Sequence, residues 1–485
     1  NVSQWTGIDV EALNALAIDA VTNPHHVKNI KPIPNRKSDR EVPLLDCFYA
    51  PCMEGCPIHQ DIPTYIKLTG EGKYAEALRV ILEKNALPFI TGTLCAHNCM
   101  TKCTRNFYEE PVNIRGTKLV AAENGYEEVI NEIKAANANG KKAAVVGGGP
   151  AGLAAAYFLG RAGVDVTVFE KEEKLGGVIR YVIPGFRISE EAIDKDVSLL
   201  TKLGVKIETN REIKDYNALK AEGYDVVIVA IGAGKPGTLK LEKGETVNAI
   251  HFLKEFKEKD GNVDLGKHVV VIGGGNTAMD TARAAVRTKG VEKVFLAYRR
   301  TKRYMPAAED ELLEVLEDGV EFRELLSPVS LENGKLLCKV MELGKADASG
   351  RASVTETGKT EEVPADTVIV AVGEKTDAEI YQANGIEINE RGKAKYNQKT
   401  LETGVSGIYL IGDGAGGAAT IVEAIRDAQL AAEAILAEAV VKDTEVQETE
   451  ESCFEKKGIL AERSEKETEK ERCLVCNKIC ENCVD

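Results

Sequence analysis

Glycine loops and clustered cysteines are the parts of this sequence that could do chemistry. The stretch from Lys142 to Ala154 returns in altered form from Lys267 to Met279. In each copy an apolar strand meets a glycine turn and small residues open a helix, a pattern that seats a dinucleotide pyrophosphate on a helix N-terminus. Gly147 and Gly273 allow the tight turn, and Gly149 and Gly275 let the backbone approach the phosphates. Gly152 in one copy and Ala278 in the other are small enough for close helix–strand packing. Pro150 and Ala151 open the first helix beside the nucleotide, and Asn276 and Thr277 open the second.

The residues downstream of each loop separate two cofactors. The run from Val164 to Phe169 reads as a second strand ending on Glu170, at about the ~20 residues where a carboxylate accepts from ribose hydroxyls. That is the FAD or NAD pattern, and Lys171 belongs to the same site. In Gly407 to Gly414, Asp413 stands at a strand end where it could accept from a flavin ribitol hydroxyl. Backbone at Gly176 and Gly177 could lie against a flavin, with Arg180 close behind. After the second loop the acid is replaced by Arg299, Arg300 and Arg303. Guanidinium groups bind a 2′-phosphate in bidentate fashion where a carboxylate would repel it, so this site is expected to prefer NADP(H). Hydride transfer between a nicotinamide and a flavin needs ring alignment rather than an acid–base residue, so none is nominated.

Of the 12 cysteines, all but Cys338 and Cys453 fall into clusters. Cys47, Cys52 and Cys56, the last followed by Pro57, form one triplet; Cys95, Cys99 and Cys103 form another. Clustered thiols in a chain with Rossmann patterns and no secretory signal point to metal rather than disulfides. Zinc sites usually pair two two-cysteine knuckles, so two triplets favour iron–sulfur ligation. Cys473, Cys476, Cys480 and Cys483 form a further ligand run, cut short before any Cys-Pro.

The elements that must position these residues can be read from the pattern. The expected class is α/β: two Rossmann-like nucleotide-binding domains, the NADP domain inserted in the FAD domain, with an N-terminal α-helical iron–sulfur domain. Helical periodicity runs from Lys73 to Glu83 between the two cysteine triplets. The expected divisions are a helical iron–sulfur domain over 1–140, the FAD domain over 141–236 and 366–441, and the NADP(H) domain over 237–365. Asp366 to Gly373 and Gly407 to Gly414 are read as strands returning to the first domain, closed by a helix from Ala418 to about Val441. A charged tether over 442–472 leads to the truncated cysteine motif at 473–485.

With 485 residues and a net charge of −15, and no basic block, nucleic-acid binding is not expected. The apolar run from Ala143 to Gly160 is broken by glycines and Pro150, which fits strand–turn–helix better than a membrane span. The chain begins at Asn1 and is read as a fragment of a cytoplasmic protein.

Taken in order, these motifs resemble the small subunit of glutamate synthase and the N-terminal half of dihydropyrimidine dehydrogenase, over roughly residues 40 to 440. The acidic tether and final cysteines are most similar to YgfK-type selenate reductase subunits. The resemblance implies two interleaved [4Fe–4S] clusters, one on Cys47, Cys52 and Cys103, the other on Cys56, Cys95 and Cys99. It also implies fourth ligands that this chain lacks: Leu44 stands where a cysteine is usual, and Lys118 where Gln or Glu is usual. A carboxylate such as Asp46 or a solvent ligand could fill a gap.

The implied function is an electron-entry subunit in which NADPH reduces FAD and single electrons pass through [4Fe–4S] clusters to a partner subunit or missing domain, with selenate as the acceptor the resemblance suggests. A glutamate synthase small subunit is the nearest alternative. A zinc-stabilised non-catalytic scaffold is the alternative of another class.

Overall fold

The structure, a computed structural model, describes residues 50–107, 109–237, 239–346 and 352–436, with a few positions between 12 and 19. Cys47, Leu44, Asp46, the tether and Cys473, Cys476, Cys480 and Cys483 lie outside the described residues. The chain divides into two compact units, one containing Gly237–Gly373 and the other the described parts of Ile33–Pro236 and Glu374–Asp485.

The larger unit begins with helices: α1 (Pro51–Glu54), α2 (Ile62–Gly70), α3 (Tyr74–Leu82), α4 (Pro88–Leu94), α5 (Asn98–Thr101) and α6 (Ile114–Glu132). Local chemistry starts them. Asp61 caps α2 by accepting from Thr64 N–H, and Asn113 caps α6 by accepting from Gly116 N–H. The periodicity expected from Lys73 to Glu83 is α3, whose Ala77, Leu78 and Ile81 are fully buried on one face. Gly125 lets α6 lie against α3, because a Cβ there would fall 2.6 Å from Tyr74 O.

Next comes β1 (Lys142–Val146), α7 (Pro150–Arg161), β2 (Asp165–Phe169), α8 (Glu190–Lys202), β3 (Lys206–Glu208) and β4 (Val226–Val229). Strands β1 and β2 are buried along nearly their whole length, as parallel strands covered on both faces must be. Two contacts bind this layer to the helices before it. Tyr157 Oη and Arg161 Nη1 of α7 donate to Leu82 O at 3.1 and 3.0 Å. Asp196 of α8, fully buried, accepts from Phe89 and Ile90 N–H at the start of α4, at 3.1 and 2.8 Å.

The second unit contains β5 (Val247–Asn248), β6 (His268–Ile272), α9 (Asn276–Val286), β7 (Lys293–Tyr298) and β8 (Glu321–Glu324). An antiparallel ribbon comes after it, β9 (Leu326–Glu332), β10 (Lys335–Ala346) and β11 (Ala352–Pro364), which the sequence pattern does not announce. Then β12 (Thr367–Val370) pairs in parallel with β6, Val368 opposite Val270 and Ile369 opposite Val271. The expectation that Asp366–Gly373 returns to the first domain is therefore corrected: this strand completes the second sheet, ordered β5-β12-β6-β7-β8. Its apolar composition demands a buried strand but is equally suited to either sheet.

The second expected returning strand, β13 (Ile408–Leu410), does join β4, giving the first sheet the order β13-β4-β1-β2-β3. Helix α10 (Ile421–Leu436) then packs against α7. In both sheets the glycine loop leaves the strand at which the order reverses, β1 or β6, the switch point where open α/β sheets bind ligands. Among the described residues no helix is long and apolar enough to cross a membrane.

Candidate functional site

Three loops of the larger unit close on the N-terminus of α7. Gly147 turns with φ 106°, its N–H donating to Phe169 O at 2.8 Å, and a Cβ on it would lie 2.4 Å from Ala230 O. Gly176 brings the second loop in by donating its N–H to Gly148 O at 2.8 Å, and a Cβ on Gly177 would meet Gly149 Cα at 2.9 Å. The third loop approaches through Gly412, where a Cβ would meet Ala151 Cβ at 2.7 Å. Gly149 by contrast is not crowded, a Cβ there lying in ordinary contact distance, 4.0 Å, of Gly177 Cα. An approaching pyrophosphate needs such a gap above the first turn of α7, where Pro150 has no N–H to leave unpaired.

Glu170 is buried and its carboxylate is partly committed to the loop itself, accepting from Gly148 N–H at 2.7 Å and Glu172 N–H at 2.9 Å. Lys171 beside it is exposed. Asp413 comes after Gly412 and accepts from Ala419 N–H at 3.0 Å; burial pushes it up to about 6, helped by Glu423 and Asp427. Arg180 is buried, and its guanidinium donates to Leu175 O and pairs with Glu190 and Asp194. It clamps the Gly176–Gly177 loop to α8.

The second unit repeats the first loop. Gly273 N–H donates to Ala297 O at 3.2 Å, and a Cβ on Gly273 would meet Ala371 O at 2.6 Å. Gly275 is likewise uncrowded, with Pro306 Cγ at an ordinary contact distance of 4.0 Å from where its Cβ would be. At the mouth of α9, Asn276 is exposed and Thr277 half-buried. At the end of β7, Arg299 is exposed and Arg303 half-buried over the Tyr304 ring. Arg300 is buried: Nε donates to Ala352 O at 2.8 Å, while Nη1 is buried without a hydrogen-bond partner among the described residues. A buried cationic donor left over in this way fits a phosphate acceptor.

Of the described cysteines, Cys56, Cys95 and Cys99 line one cavity with Lys118, Gln60 and Tyr65. Cys56 lies just beyond α1, Cys95 ends α4 and Cys99 lies in α5, so three short helices deliver the three thiols. Burial pushes Cys56 up and Cys99 well up, with Lys118 acting in the opposite direction on both. Such thiols stay protonated until a metal centre binds, and its coordination then releases their protons. Arg115 Nη1 donates to Cys95 O at 3.3 Å at the cavity wall. Cys52 and Cys103 are half-buried on α1 and beyond α5, two helices that pack together. No group of three His, Cys, Asp or Glu among the described residues is placed to hold a single metal ion. Thiols that bind different irons of one cluster need not converge on a point, and the Cys56, Cys95 and Cys99 set fits such a cluster. His97 also lines the cavity, whereas His59 is exposed.

Sequence reasoning missed Gln60, Asn85 and Asp196, because a lone polar residue in a helical stretch has no spacing signature. It also missed Tyr381, whose Oη donates to Gly414 O at 2.8 Å and so fixes the turn after Asp413.

The pyridine nucleotide-disulphide oxidoreductase family matches residues 141–428. The family described as dihydropyrimidine dehydrogenase domain II, 4Fe-4S cluster, matches residues 37–130. "Putative oxidoreductase YgfK" of Escherichia coli (strain K12) is 40% identical over 99% of this chain and 48% of its own. The NADP(+)-dependent formate dehydrogenase subunit beta of Moorella thermoacetica is 34% identical over 80% of this chain and 59% of its own. The glutamate synthase [NADPH] small chain of E. coli (strain K12) is 32% identical over 81% of this chain and 89% of its own. The chain thus spans about half the length of the first of these relatives. Among solved structures, Mycobacterium tuberculosis FprA in complex with NADPH is similar with a TM-score of 0.53 at 20% identity, over 61% of this chain and 84% of that one, a likeness of fold.

Proposed function

Because the chain belongs to the pyridine nucleotide-disulphide oxidoreductase family and is an oxidoreductase with FAD, NADPH and [4Fe–4S] cofactors, we propose that it is the electron-entry part of a larger enzyme, taking electrons from NADPH and delivering them singly to a partner. The observation that carries this reading is a shared wall. Val422, near the start of α10 and downstream of the Asp413 loop, lines the same cavity as Cys56, Cys95 and Cys99. One helix therefore borders both the loop expected to hold a flavin and the thiols expected to hold a cluster.

When bound, FAD supplies the conversion between the electron pair of NADPH and one-electron carriers. The chain's own residues bind and orient. Gly149, Pro150, Ala151 and Gly152 would offer a phosphate a helix N-terminus, Glu170 would accept from the ribose with the lone pairs its loop leaves over, and Gly177 and Asp413 would hold the ring-bearing chain. In the second unit Gly273, Gly275, Asn276 and Thr277 take the nicotinamide nucleotide's pyrophosphate, and Arg299, Arg300 and Arg303 its 2′-phosphate. Cys47, Cys52 and Cys103 serve one cluster and Cys56, Cys95 and Cys99 another, with Cys473, Cys476, Cys480 and Cys483 contributing to a further centre. Thiols kept for iron suit a reducing compartment such as the cytoplasm. The acceptor is a redox centre of a partner subunit or further domain; selenate, which the resemblance suggests, has no described residues assigned to it. The glutamate synthase small chain is the second reading, favoured by the 89% of that chain which this one spans.

An anaerobic titration with NADPH and, separately, NADH tests the proposal. NADPH should bleach the flavin band and then deliver further equivalents to the iron–sulfur absorption, and NADH should be a much poorer donor. Reduction of flavin without further uptake would remove the electron-wire reading, and equal use of NADH would remove the assignment of the three arginines.

A further inference from the structure

The thiol cavity has two walls that its three cysteines do not explain. Lys118 projects from α6 and is only 4% exposed, yet it makes no ion pair or hydrogen bond among the described residues. Its charge acts on Cys56, on Cys99 and on the buried Asp196 carboxylate. Gln60, on the opposite chain segment, is 3% exposed, and its Nε2 is buried with no hydrogen-bond partner among the described residues.

The orientation of that amide is set by its neighbours rather than by its own atoms, which look alike in either flip. Asn85 Oδ1 accepts from Leu87 N–H at 3.0 Å, which fixes Asn85 with its Nδ2 outward. That Nδ2 donates to Thr91 Oγ1 at 2.7 Å and to Gln60 Oε1 at 3.3 Å. Thr91 Oγ1 can accept because its own proton goes to Leu87 O at 2.7 Å. Gln60 Oε1 is therefore the acceptor for Asn85, and Nε2 is the atom left for the cavity. A buried donor without an acceptor is costly, as is a buried cation that no anion contacts; the buried Asp196 feels Lys118 but accepts from Phe89 and Ile90 N–H and forms no ion pair with it. A group that brings both acceptor atoms and negative charge into the cavity would satisfy the two residues together.

A sulfide-bearing cluster on three thiolates supplies both. We infer that Gln60 and Lys118 set the redox poise of the iron–sulfur centre held by Cys56, Cys95 and Cys99, Gln60 through an N–H···S hydrogen bond and Lys118 through its charge. Neither is a ligand. An ammonium has no lone pair to give, and the Gln60 oxygen is turned towards Asn85, accepting from its Nδ2 at 3.3 Å. Reduction adds one electron, and so one negative charge, to the centre. A donor and a cation beside it stabilise the reduced form more than the oxidised one and raise the potential. The inference rests on the cluster reading of the cavity but not on NADPH as donor.

The test is a dye-mediated potentiometric titration of the reconstituted chain with dithionite, followed by electron paramagnetic resonance, using the signal that is lost in Cys95→Ser. Gln60→Leu and Lys118→Met should each lower the midpoint. A shift of about 59 mV corresponds to a tenfold change in the ratio of reduced to oxidised centre at fixed potential. Lys118→Arg, which keeps the charge, should restore most of the wild-type value. Unchanged midpoints with wild-type iron and sulfide content would overturn the inference while leaving the cluster in place. If Lys118→Met fails to assemble a centre, Gln60→Leu and Gln60→Glu decide: the second removes a donor and adds an anion, so it must fall further than the first. A wild-type chain that takes up no iron–sulfur in this cavity would overturn the cluster reading and the inference together. Failure of NADPH to reduce it would touch only the proposed function.

Discussion

In the first glycine loop Gly147 N–H donates to Phe169 O and Ala230 N–H to Val146 O; in the second, Gly273 donates to Ala297 O and Ala371 to Ile272 O. The same two bonds tie each loop to the strands on either side of it, so the turn is built alike in both units. The helices beyond the turns are not. A Cβ at Gly152 would lie 1.9 Å from Gly147 O, whereas Ala278 keeps its Cβ 3.0 Å from where a Gly273 Cβ would be. The first helix is pressed against its strand; the second has room for a methyl group. The strand ends differ too, with the Glu170 carboxylate turned into its own loop and Arg299 exposed at the other mouth. The lesson is that one backbone frame serves both units, and on the proposed function it is the end of the second strand that distinguishes the two nucleotides.

The largest expected effect sharpens the helix difference. Gly152→Ala should destabilise the larger unit by about 3 kcal/mol and abolish flavin retention, since the methyl group has no space. Ala278→Gly should cost only about 1 kcal/mol, the usual helix penalty. Denaturant unfolding with flavin absorbance measures both, and equal costs would break the comparison. Next in size, Arg299→Ala should weaken NADPH by about 1.5–3 kcal/mol, the range for hydrogen bonds to charged groups, and leave NADH unaffected. KM values for the two nucleotides check this, and a parallel loss for both would mean that the strand end does not discriminate.

The last effect concerns pH. Burial places Asp413 at about 6 in the folded chain, above its ordinary 3.8. An acid raised on folding destabilises only where it is ionised: the cost is absent below the unfolded value, grows as pH rises, and is complete above the folded value. Flavin-free protein should therefore lose stability between about pH 4 and pH 6 in a way that Asp413→Asn removes. The second unit, which has arginines where the first has acids, should show no such difference between the two proteins. An identical pH profile for wild type and Asp413→Asn would place the acid in solvent.

Much of this was legible from sequence where the cause is local. A glycine turn between an apolar strand and a small-residue helix reads directly, because the turn needs a backbone without Cβ at Gly147 and the strand needs burial on both faces. The helix at Tyr74–Leu82 reads from its period. The strand Thr367–Val370 was legible as a strand but not as a member of the second sheet, since pairing with Val269–Ile272 depends on which edge is vacant after folding. Arg180 reads as a residue near the cofactor, yet its guanidinium is committed to Glu190 and Asp194, partners that only the approach of α8 supplies.

The sequence by itself determined the two nucleotide loops, the opposite charges downstream of them and the spacing of the cysteines. These are short-range demands of backbone stereochemistry and ligand chemistry, written within a few turns of chain. Only the tertiary structure decided that Cys56 shares a cavity with Cys95 and Cys99, that Val422 borders it, and that Gln60 faces it with a donor. Those outcomes depend on burying surfaces from distant segments together, and a polar atom's role is fixed only when its last neighbour, here Asn85, has taken its place.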